Sequence, residues 1–243
     1  MSPWTLTGLA ALLLILPLAL RPQAPPDRVE FRGLLSCLWY VNIAYCAIVH
    51  RLTTEAAPLP ATGPAILISN HTCNIDNFLL QAATRRKLSF LIARMYYDAP
   101  LFRPFCERLG CIPVDPGRFT SASRAAIKAL GEGRIVAVFP EGQILPTSGR
   151  EIGEGKPGVA FIALKAKVPV IPAYIRGTPE SNKVWVSFFT PSEARVVYGP
   201  PIPPPEPEGR GGHHERDQLA AMTESYMAAI RALRERDPGR EPG

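Results

Sequence analysis

The sequence predicts an α/β domain with a mixed, mostly parallel sheet flanked by helices, preceded by an N-terminal pair of membrane-associated helices. From residue 61 onward, short runs rich in β-branched residues alternate with segments of helical apolar spacing. This alternation is typical of strands joined by crossover helices. The chain has 243 residues, 47% of them apolar, and can therefore bury a full-sized core. Two apolar stretches near the N-terminus, Trp4 to Leu20 and Gly33 to Val49, predict the helix pair.

The N-terminal region contains two apolar stretches. Trp4 to Leu20 is uncharged and is followed by Arg21; as a helix it would be about 25 Å long, slightly short of a hydrocarbon core of roughly 30 Å. A cleaved signal peptide is the alternative, but no basic residue precedes the run and no small-residue cleavage pattern follows it. The arginines after the run would place its second end in the cytoplasm. The second stretch, Gly33 to Val49, is either its membrane partner or a packing helix of the domain.

Five strands and four helices are predicted in the globular region, followed by a hairpin. The strands are Ala65–Ser69, Leu88–Ala93, Ile112–Val114, Ile135–Phe139 and Val168–Ile175. The helices are Ile75–Arg86, Pro100–Leu109, Ser121–Gly131 and Gly158–Lys167. The β-rich runs Lys183–Phe189 and Ala194–Tyr198 predict an antiparallel hairpin near the sheet edge.

The chain is therefore divided into four parts. Residues 1–52 form the hydrophobic membrane-associated helices, and residues 60–200 form the α/β domain. Residues 201–213 are a linker rich in proline and glycine. Residues 214–243 form a C-terminal helix and tail, in which apolar residues at helical spacing predict packing on the domain.

Charge and cysteine usage limit the classes of function. The net charge of +6 favours anionic partners, but no segment combines basic clusters with aromatic residues, so nucleic acid is not a predicted partner. Phosphorylated small molecules and anionic lipids fit better. The five cysteines form neither a paired framework nor a CxxC motif, which favours a reducing compartment. With only four histidines, no metal site is predicted.

The segment from Ala65 to Phe78 contains the first candidate site. A buried strand ends at His71, and Asp76 falls in the first turn of the following helix, so its carboxylate can fold back onto the imidazole. A carboxylate that fixes one ring nitrogen as a donor leaves the other free to accept a hydroxyl proton, as a general base requires. The alternative is that Asp76 caps the helix and His71 is an ordinary turn residue.

Two further segments bring polar groups to predicted loops. Phe139-Pro-Glu-Gly142 delivers Glu141 and a glycine to the carboxyl edge of the sheet, where open α/β sheets bind ligands; a plain turn is the alternative. The segment Gly110 to Arg118 ends in a loop whose arginine suits a phosphate, unless it is simply solvated.

Taken in order, these segments resemble the four motifs of the glycerolipid acyltransferase family, which includes the bacterial 1-acylglycerol-3-phosphate acyltransferases. His71 and Asp76 are similar to the family's His-x4-Asp motif, in which the histidine is the general base and the aspartate orients it. The resemblance covers about residues 60 to 200. His-x4-Asp alone is a weak signal, whereas the ordered set is specific.

The remaining motifs imply binding roles. Gly110 to Arg118, which contains Asp115, resembles the second motif, which binds glycerophosphate. Glu141 and Gly142 resemble the third motif, which binds the acceptor. The fourth motif is associated with an apolar wall and the acyl donor, and Val168 to Pro172, with Pro169 and Pro172, is similar to it.

Two departures bear on the acceptor. Gln143-Ile-Leu follows Gly142 where the family commonly has Thr-Arg-Ser, and Pro116 stands where an arginine often follows the aspartate of the second motif. Both departures resemble the branch that reacylates lysophosphatidylethanolamine, so a headgroup larger than a bare phosphate is the alternative. Lys156, in a Lys-Pro-Gly sequence, matches a basic position after the third motif and can supply part of the missing charge.

The resemblance implies a membrane enzyme of phospholipid biosynthesis with its active site on the cytoplasmic face. It would transfer an acyl group from acyl-CoA or acyl carrier protein to the free hydroxyl of 1-acylglycerol-3-phosphate, with no cofactor beyond the acyl donor. His71 would remove the hydroxyl proton, Asp76 would stabilise the imidazolium, and Glu141 would position the acceptor. The expected partners are a lysophospholipid, the acyl carrier and membrane lipid.

Other mechanisms and functions remain as alternatives. No GxSxG sequence is present, so a serine acyl-enzyme is not expected, and Cys73 is interpreted as a small buried filler rather than a nucleophile. A non-catalytic lipid-binding protein is one rival, although binding alone does not require an oriented base. A lipid hydrolase that activates water with His71 is the other.

Overall fold

Seven strands form one sheet in the computed structural model, which describes residues 33–100, 102–115, 117, 119–146, 149–181, 183–206 and 212–237. The strands are β1 Thr53–Thr54, β2 Ala65–Ser69, β3 Leu88–Ala93, β4 Ile112–Val114, β5 Ile135–Val138, β6 Val170–Arg176 and β7 Arg195–Tyr198. Their order is β1-β7-β6-β2-β5-β3-β4. All neighbouring pairs are parallel except β6 and β7. The predicted mixed, mostly parallel sheet is confirmed.

Helices cover both faces of the sheet. They are α1 Leu34–Val49, α2 Asp76–Ala82, α3 Arg94–Tyr97, α4 Arg103–Leu109, α5 Phe119–Gly131, α6 Gly158–Ala166, α7 Val184–Phe189 and α8 Gly212–Arg236. One core cluster joins the sheet to α1, α2 and α4 through residues such as Trp39 and Leu79. The other joins it to α5, α6 and α8 through residues such as Ile162 and Ile230. The predicted C-terminal packing helix is confirmed.

The central strand β2 is buried along its whole length. Parallel strands covered on both faces carry continuous apolar runs, and β2 lies between β5 and β6 with Ile68 beside Val138. At its carboxyl end, Asn70 exchanges two hydrogen bonds of 2.8 Å with the backbone of Ile175 in β6. This two-point contact fixes the position at which the chain leaves the sheet, immediately before His71.

Most predicted elements are confirmed, but the predicted hairpin is wrong. The segment predicted as a strand from Lys183 to Phe189 is the helix α7, and β7 pairs with β6 instead. Val184 and Phe188 lie four residues apart, so a helix directs both side chains towards the interior. This tertiary packing overrides the β propensity of the segment. The predicted helix Pro100–Leu109 begins only at Arg103, and the short helix α3 precedes it.

The second apolar stretch of the N-terminal region is the helix α1, and it packs on the domain. Trp39 and Cys46 are buried in the core, and the Trp39 indole N–H donates to the carbonyl oxygen of Gln81 at 3.3 Å. Trp4 to Leu20 lies outside the described residues. Among the helices that the structure describes, none has the length and apolar character needed to cross a bilayer. The four-part division of the chain stays a prediction.

Candidate active site

His71 lies directly after the carboxyl end of β2. Its Nδ1 is 2.8 Å from Oδ2 of Asp76, and its ring stacks on Phe139 with centroids 4.1 Å apart. The carboxylate can only accept here, so Nδ1 carries the proton and Nε2 is left as the acceptor. Nε2 has no hydrogen-bond partner among the described residues, and the His71 side chain is 18% exposed. The ring is therefore oriented by one nitrogen and accessible through the other.

Asp76 is completely buried and is held by the turn that precedes it. Its Oδ2 accepts the backbone N–H groups of Thr72 at 2.5 Å and Cys73 at 3.0 Å, and its Oδ1 accepts the Thr72 hydroxyl at 2.6 Å. The Thr178 hydroxyl donates to Thr72 Oγ1 at 2.8 Å. A buried carboxylate with this many donors has a fixed position, and that position determines the orientation of the imidazole.

Cys73 is buried beside this pair. Its thiol lies 3.7 Å from Asp76 Oδ1. Burial, reinforced by the Asp76 charge, raises the thiol pKa to about 12, so the thiol stays protonated at neutral pH. The thiolate is the nucleophilic form of cysteine, which makes Cys73 a poor candidate for an acyl-enzyme.

Glu141 follows β5, the strand beside β2. Its side chain is buried, with Oε1 accepting the His71 backbone N–H at 2.8 Å and Oε2 accepting the Gly153 N–H at 3.0 Å. Burial raises the pKa of this carboxyl, although the two N–H groups act in the opposite direction. Both oxygens are thus engaged with backbone, and the geometry makes Glu141 a residue that positions His71.

Gly142 continues this turn with a φ of 67°, a backbone conformation that favours glycine. A Cβ at this position would lie 3.1 Å from Nζ and 3.2 Å from Cδ of Lys156. The close approach seats the lysine side chain over the turn that carries Glu141. None of the described residues forms a hydrogen bond or ion pair with the Lys156 ammonium, which lines the same cavity as His71.

The cavity beside His71 has a volume of about 1070 Å³, as large as the pockets that enclose extended organic ligands. Its inner wall is formed by buried side chains, among them Trp39, Phe90 and Cys111. Exposed apolar side chains stand at its edge: Met95, Tyr96, Phe105 and Phe119. A long hydrocarbon chain would fit such a lining, because burial of its methylene groups is favourable.

Asp115 also lines the cavity, but its carboxylate is bound by a residue that no sequence motif singles out. The Arg94 guanidinium donates to both of its oxygens, at 2.5 Å and 3.0 Å, and itself lines the cavity. Arg94 directly follows the carboxyl end of β3, a position that in principle marks a site residue. Arg118 lies outside the described residues.

The structure does not bring the two predicted acyl-donor prolines to this cavity. Pro169 accepts the Ile66 N–H through its carbonyl oxygen, and Pro172 packs against Gly199 on the side of the sheet that α8 covers. Neither lines the cavity. In the described part of the chain, no group of three His, Cys, Asp or Glu side chains could hold a metal ion.

A histidine oriented by a buried carboxylate, at the carboxyl edge of a mostly parallel sheet, places the chain among α/β enzymes that use an oriented base. A family model described as Acyltransferase matches residues 51–176, more than half of the chain. The chain belongs to the acyltransferase family, and the prediction of an acyltransferase is confirmed.

Similar proteins agree with this family. The chain is 27% identical over 180 residues to the 1-acyl-sn-glycerol-3-phosphate acyltransferase of Bacillus subtilis, covering 72% of this chain and 83% of that protein. It is 30% identical over 175 residues to a probable enzyme of the same name from Mycoplasma genitalium, covering 67% of this chain and 62% of that one. The crystal structure of the 1-acyl-sn-glycerophosphate acyltransferase of Thermotoga maritima matches with a TM-score of 0.63, at 20% identity over 97% of this chain and 91% of that chain. This last likeness shows the fold.

Proposed function

We propose that the protein transfers a fatty acyl group from acyl-CoA or acyl carrier protein to the free hydroxyl of 1-acylglycerol-3-phosphate, in phospholipid biosynthesis. The observation that carries the proposal is the His71–Asp76 pair beside a largely apolar cavity of about 1070 Å³. The relatives from Bacillus subtilis and Mycoplasma genitalium bear the name of this activity, which supports the choice of acceptor.

The mechanism follows from the tautomer that Asp76 fixes. Nε2 of His71 removes the proton of the acceptor hydroxyl while the hydroxyl oxygen forms a bond to the thioester carbonyl carbon. Collapse of the tetrahedral adduct breaks the carbon–sulfur bond, and the imidazolium returns its proton to the leaving thiolate. Asp76 stabilises the imidazolium between these steps. The reaction needs no cofactor other than the acyl donor.

The charges around the cavity favour a bare phosphate headgroup over phosphoethanolamine, because both carry a phosphate but only the second also needs a partner for its amine. Lys156 offers an ammonium without a partner among the described residues, and a compact cation of this kind binds phosphate. An amine would need a carboxylate. Both oxygens of Glu141 accept backbone N–H groups, and both oxygens of Asp115 accept from Arg94.

The proposed reaction places the enzyme at a membrane, with the active site on the cytoplasmic face. Acceptor and product are lipids, whereas the carrier of the acyl donor is water-soluble and anionic. The arginines that follow Trp4–Leu20 favour the same side of the membrane.

The test is the release of free thiol from a long-chain acyl-CoA by the purified full chain. The acceptor is lysophosphatidate, lysophosphatidylethanolamine or none, and acyl carrier protein replaces CoA if no thiol appears. Release is expected with lysophosphatidate and should fall by about 10²- to 10⁴-fold in His71→Ala and in Asp76→Asn, with circular dichroism confirming the fold. Release that needs no acceptor would indicate a hydrolase, and no release from either donor would contradict the proposal.

A further inference from the structure

The helix α7 presents a pair of aromatic side chains to solvent. Trp185 is 67% exposed and Phe189 is 74% exposed, and their rings stack with centroids 6.1 Å apart. Val186, on the same side of the helix, is 42% exposed. Scattered exposed apolar residues are ordinary on a protein surface, but a stacked aromatic pair concentrates apolar area at one place and indicates an interaction site.

The pair is held in this exposed position by the other side of the same helix. The Phe188 ring lies 5.1 Å from that of Phe78, 6.1 Å from that of Tyr45 and 6.4 Å from that of Phe102. The Tyr45 hydroxyl donates to the Phe188 carbonyl oxygen at 2.9 Å. Because Phe188 anchors the helix in this aromatic cluster, Trp185 cannot turn inward without breaking these contacts.

The helix that carries the exposed pair also lines the cavity. Val184 and Phe188, on the inner side of α7, line the cavity that His71 also lines. Met95, which is 73% exposed, lines the same cavity from α3. An apolar surface therefore runs from solvent into the cavity, and a lipid could follow it without exposing its acyl chain to water.

The charges around α7 point to an anionic lipid surface. Lys183 directly precedes the helix and is exposed, with no partner for its ammonium among the described residues. The helix itself contains no acidic residue, and the whole chain carries a net charge of +6. Aromatic rings beside a basic residue are the combination that favours the headgroup region of a bilayer.

We propose that α7 docks the mouth of the cavity onto an anionic lipid bilayer, with Trp185 and Phe189 inserted at the level of the headgroups. The proposal deepens the proposed function and rests on it for the lipid substrate. The docking itself requires no turnover, so vesicle binding and acyl transfer to a detergent-solubilised acceptor can fail independently of each other.

The first test is tryptophan quenching by brominated lipids in vesicles of equimolar phosphatidylethanolamine and phosphatidylglycerol. The chain has three tryptophans; Trp39 is buried, and Trp4 is removed in a Trp4→Phe background. We expect quenching in this background and its loss when Trp185→Phe is added. Absence of quenching in the background, or quenching that survives Trp185→Phe, would overturn the proposal.

The second test is vesicle flotation of the full chain carrying Trp185→Ser and Phe189→Ser, compared with a swapped variant carrying Trp185→Phe and Phe189→Trp. The swapped variant should float and be quenched like the background, whereas the serine variant should partition about tenfold more weakly. Loss of quenching in the swapped variant would contradict α7 as the docking element. A dimer in analytical ultracentrifugation that the serine variant abolishes would assign the surface to a second copy of the chain and would equally overturn the proposal.

Discussion

Two carboxylates hold His71 through different atoms. Asp76 binds the ring nitrogen Nδ1, and Glu141 binds the backbone N–H of the same residue. The first contact sets the tautomer and the orientation of the ring, and the second sets the position of the chain. Glu141 also binds Gly153, so a loop twelve residues further along is tied to the histidine.

We expect Glu141→Gln to lower kcat and to have a smaller effect on the KM for the acyl donor, because the substitution disturbs the position of the base. The amide NH₂ group cannot accept, so one buried N–H loses its partner and the free energy of unfolding should fall by about 1–3 kcal/mol. Steady-state kinetics and urea denaturation at neutral pH measure the two effects. Glu154→Gln is the matched control, since Glu154 is exposed and its side chain has no described partner.

The pH dependence of the free energy of unfolding is a second test of the role of Glu141. Its pKa is raised in the folded state by burial, so its stabilising contribution is present below the unfolded pKa and is lost as pH rises through the folded pKa. Glutamine does not titrate. The stability difference between wild type and Glu141→Gln should therefore be larger in mild acid than at neutral pH, and a difference that shrinks in acid would contradict this account.

At this scale, the sequence predicts contacts within one segment better than contacts between segments. His71 and Asp76 are separated by four residues across a strand end and a helix start, so their pairing could be predicted from spacing. The partners of Asp115 and Thr72 are Arg94 and Thr178, which reach the site from other loops. Such contacts depend on the order of the strands, which local patterns do not encode.

At the scale of elements, the cavity wall combines residues from several helices, strands and loops. Trp39 comes from α1 and Phe102 from just before α4, while Cys111 comes from just before β4. Strands with continuous apolar runs were predictable because burial on both faces leaves a clear pattern. The helix α7 was not, because VWVSFF has strand-like composition and becomes helical through contacts with distant residues.

A larger side chain on the inner wall should shorten the acyl chain that the enzyme accepts. Cys111→Met extends a flexible side chain into the cavity and should reduce kcat/KM for the longest donor by about tenfold, with shorter donors less affected. A series of acyl-CoA lengths measures the preference. Cys37→Met makes the same change on an exposed residue and should leave the preference unchanged; an equal shift in both variants would rule out the cavity as its cause.

At the scale of the molecule, the C-terminal end of α8 is tied to β6 and β7, the antiparallel pair of the sheet. Asp237 accepts from Arg176 of β6 at 3.0 and 3.1 Å and from Arg195 of β7 at 2.8 Å. The Arg176 guanidinium, supported by Arg195, holds the pKa of Asp237 below its usual range. These ion pairs join residues far apart in the chain. They could not be predicted from local sequence patterns, whereas the fold class could.

We expect Asp237→Asn to lower the free energy of unfolding by about 1 kcal/mol at neutral pH. Because the folded pKa is depressed, this stability is present above the ordinary pKa of aspartate and is lost only as pH falls through the lower folded value. Denaturation curves should show the difference undiminished at about pH 5. Asp217→Asn, on the exposed side of α8, is the control. A difference that has vanished by about pH 5 would contradict the ion-pair account.

The helix α1 lies outside the region that the family model matches, which begins at residue 51. Its Trp39 nevertheless lines the cavity and donates to Gln81 at the end of α2. The His71–Asp76 pair thus lies in the part of the chain that the family model matches, whereas part of the cavity wall comes from outside it. The proposed chemistry and the proposed choice of fatty acid therefore depend on different parts of the chain, so we expect relatives that share the first to differ in the second.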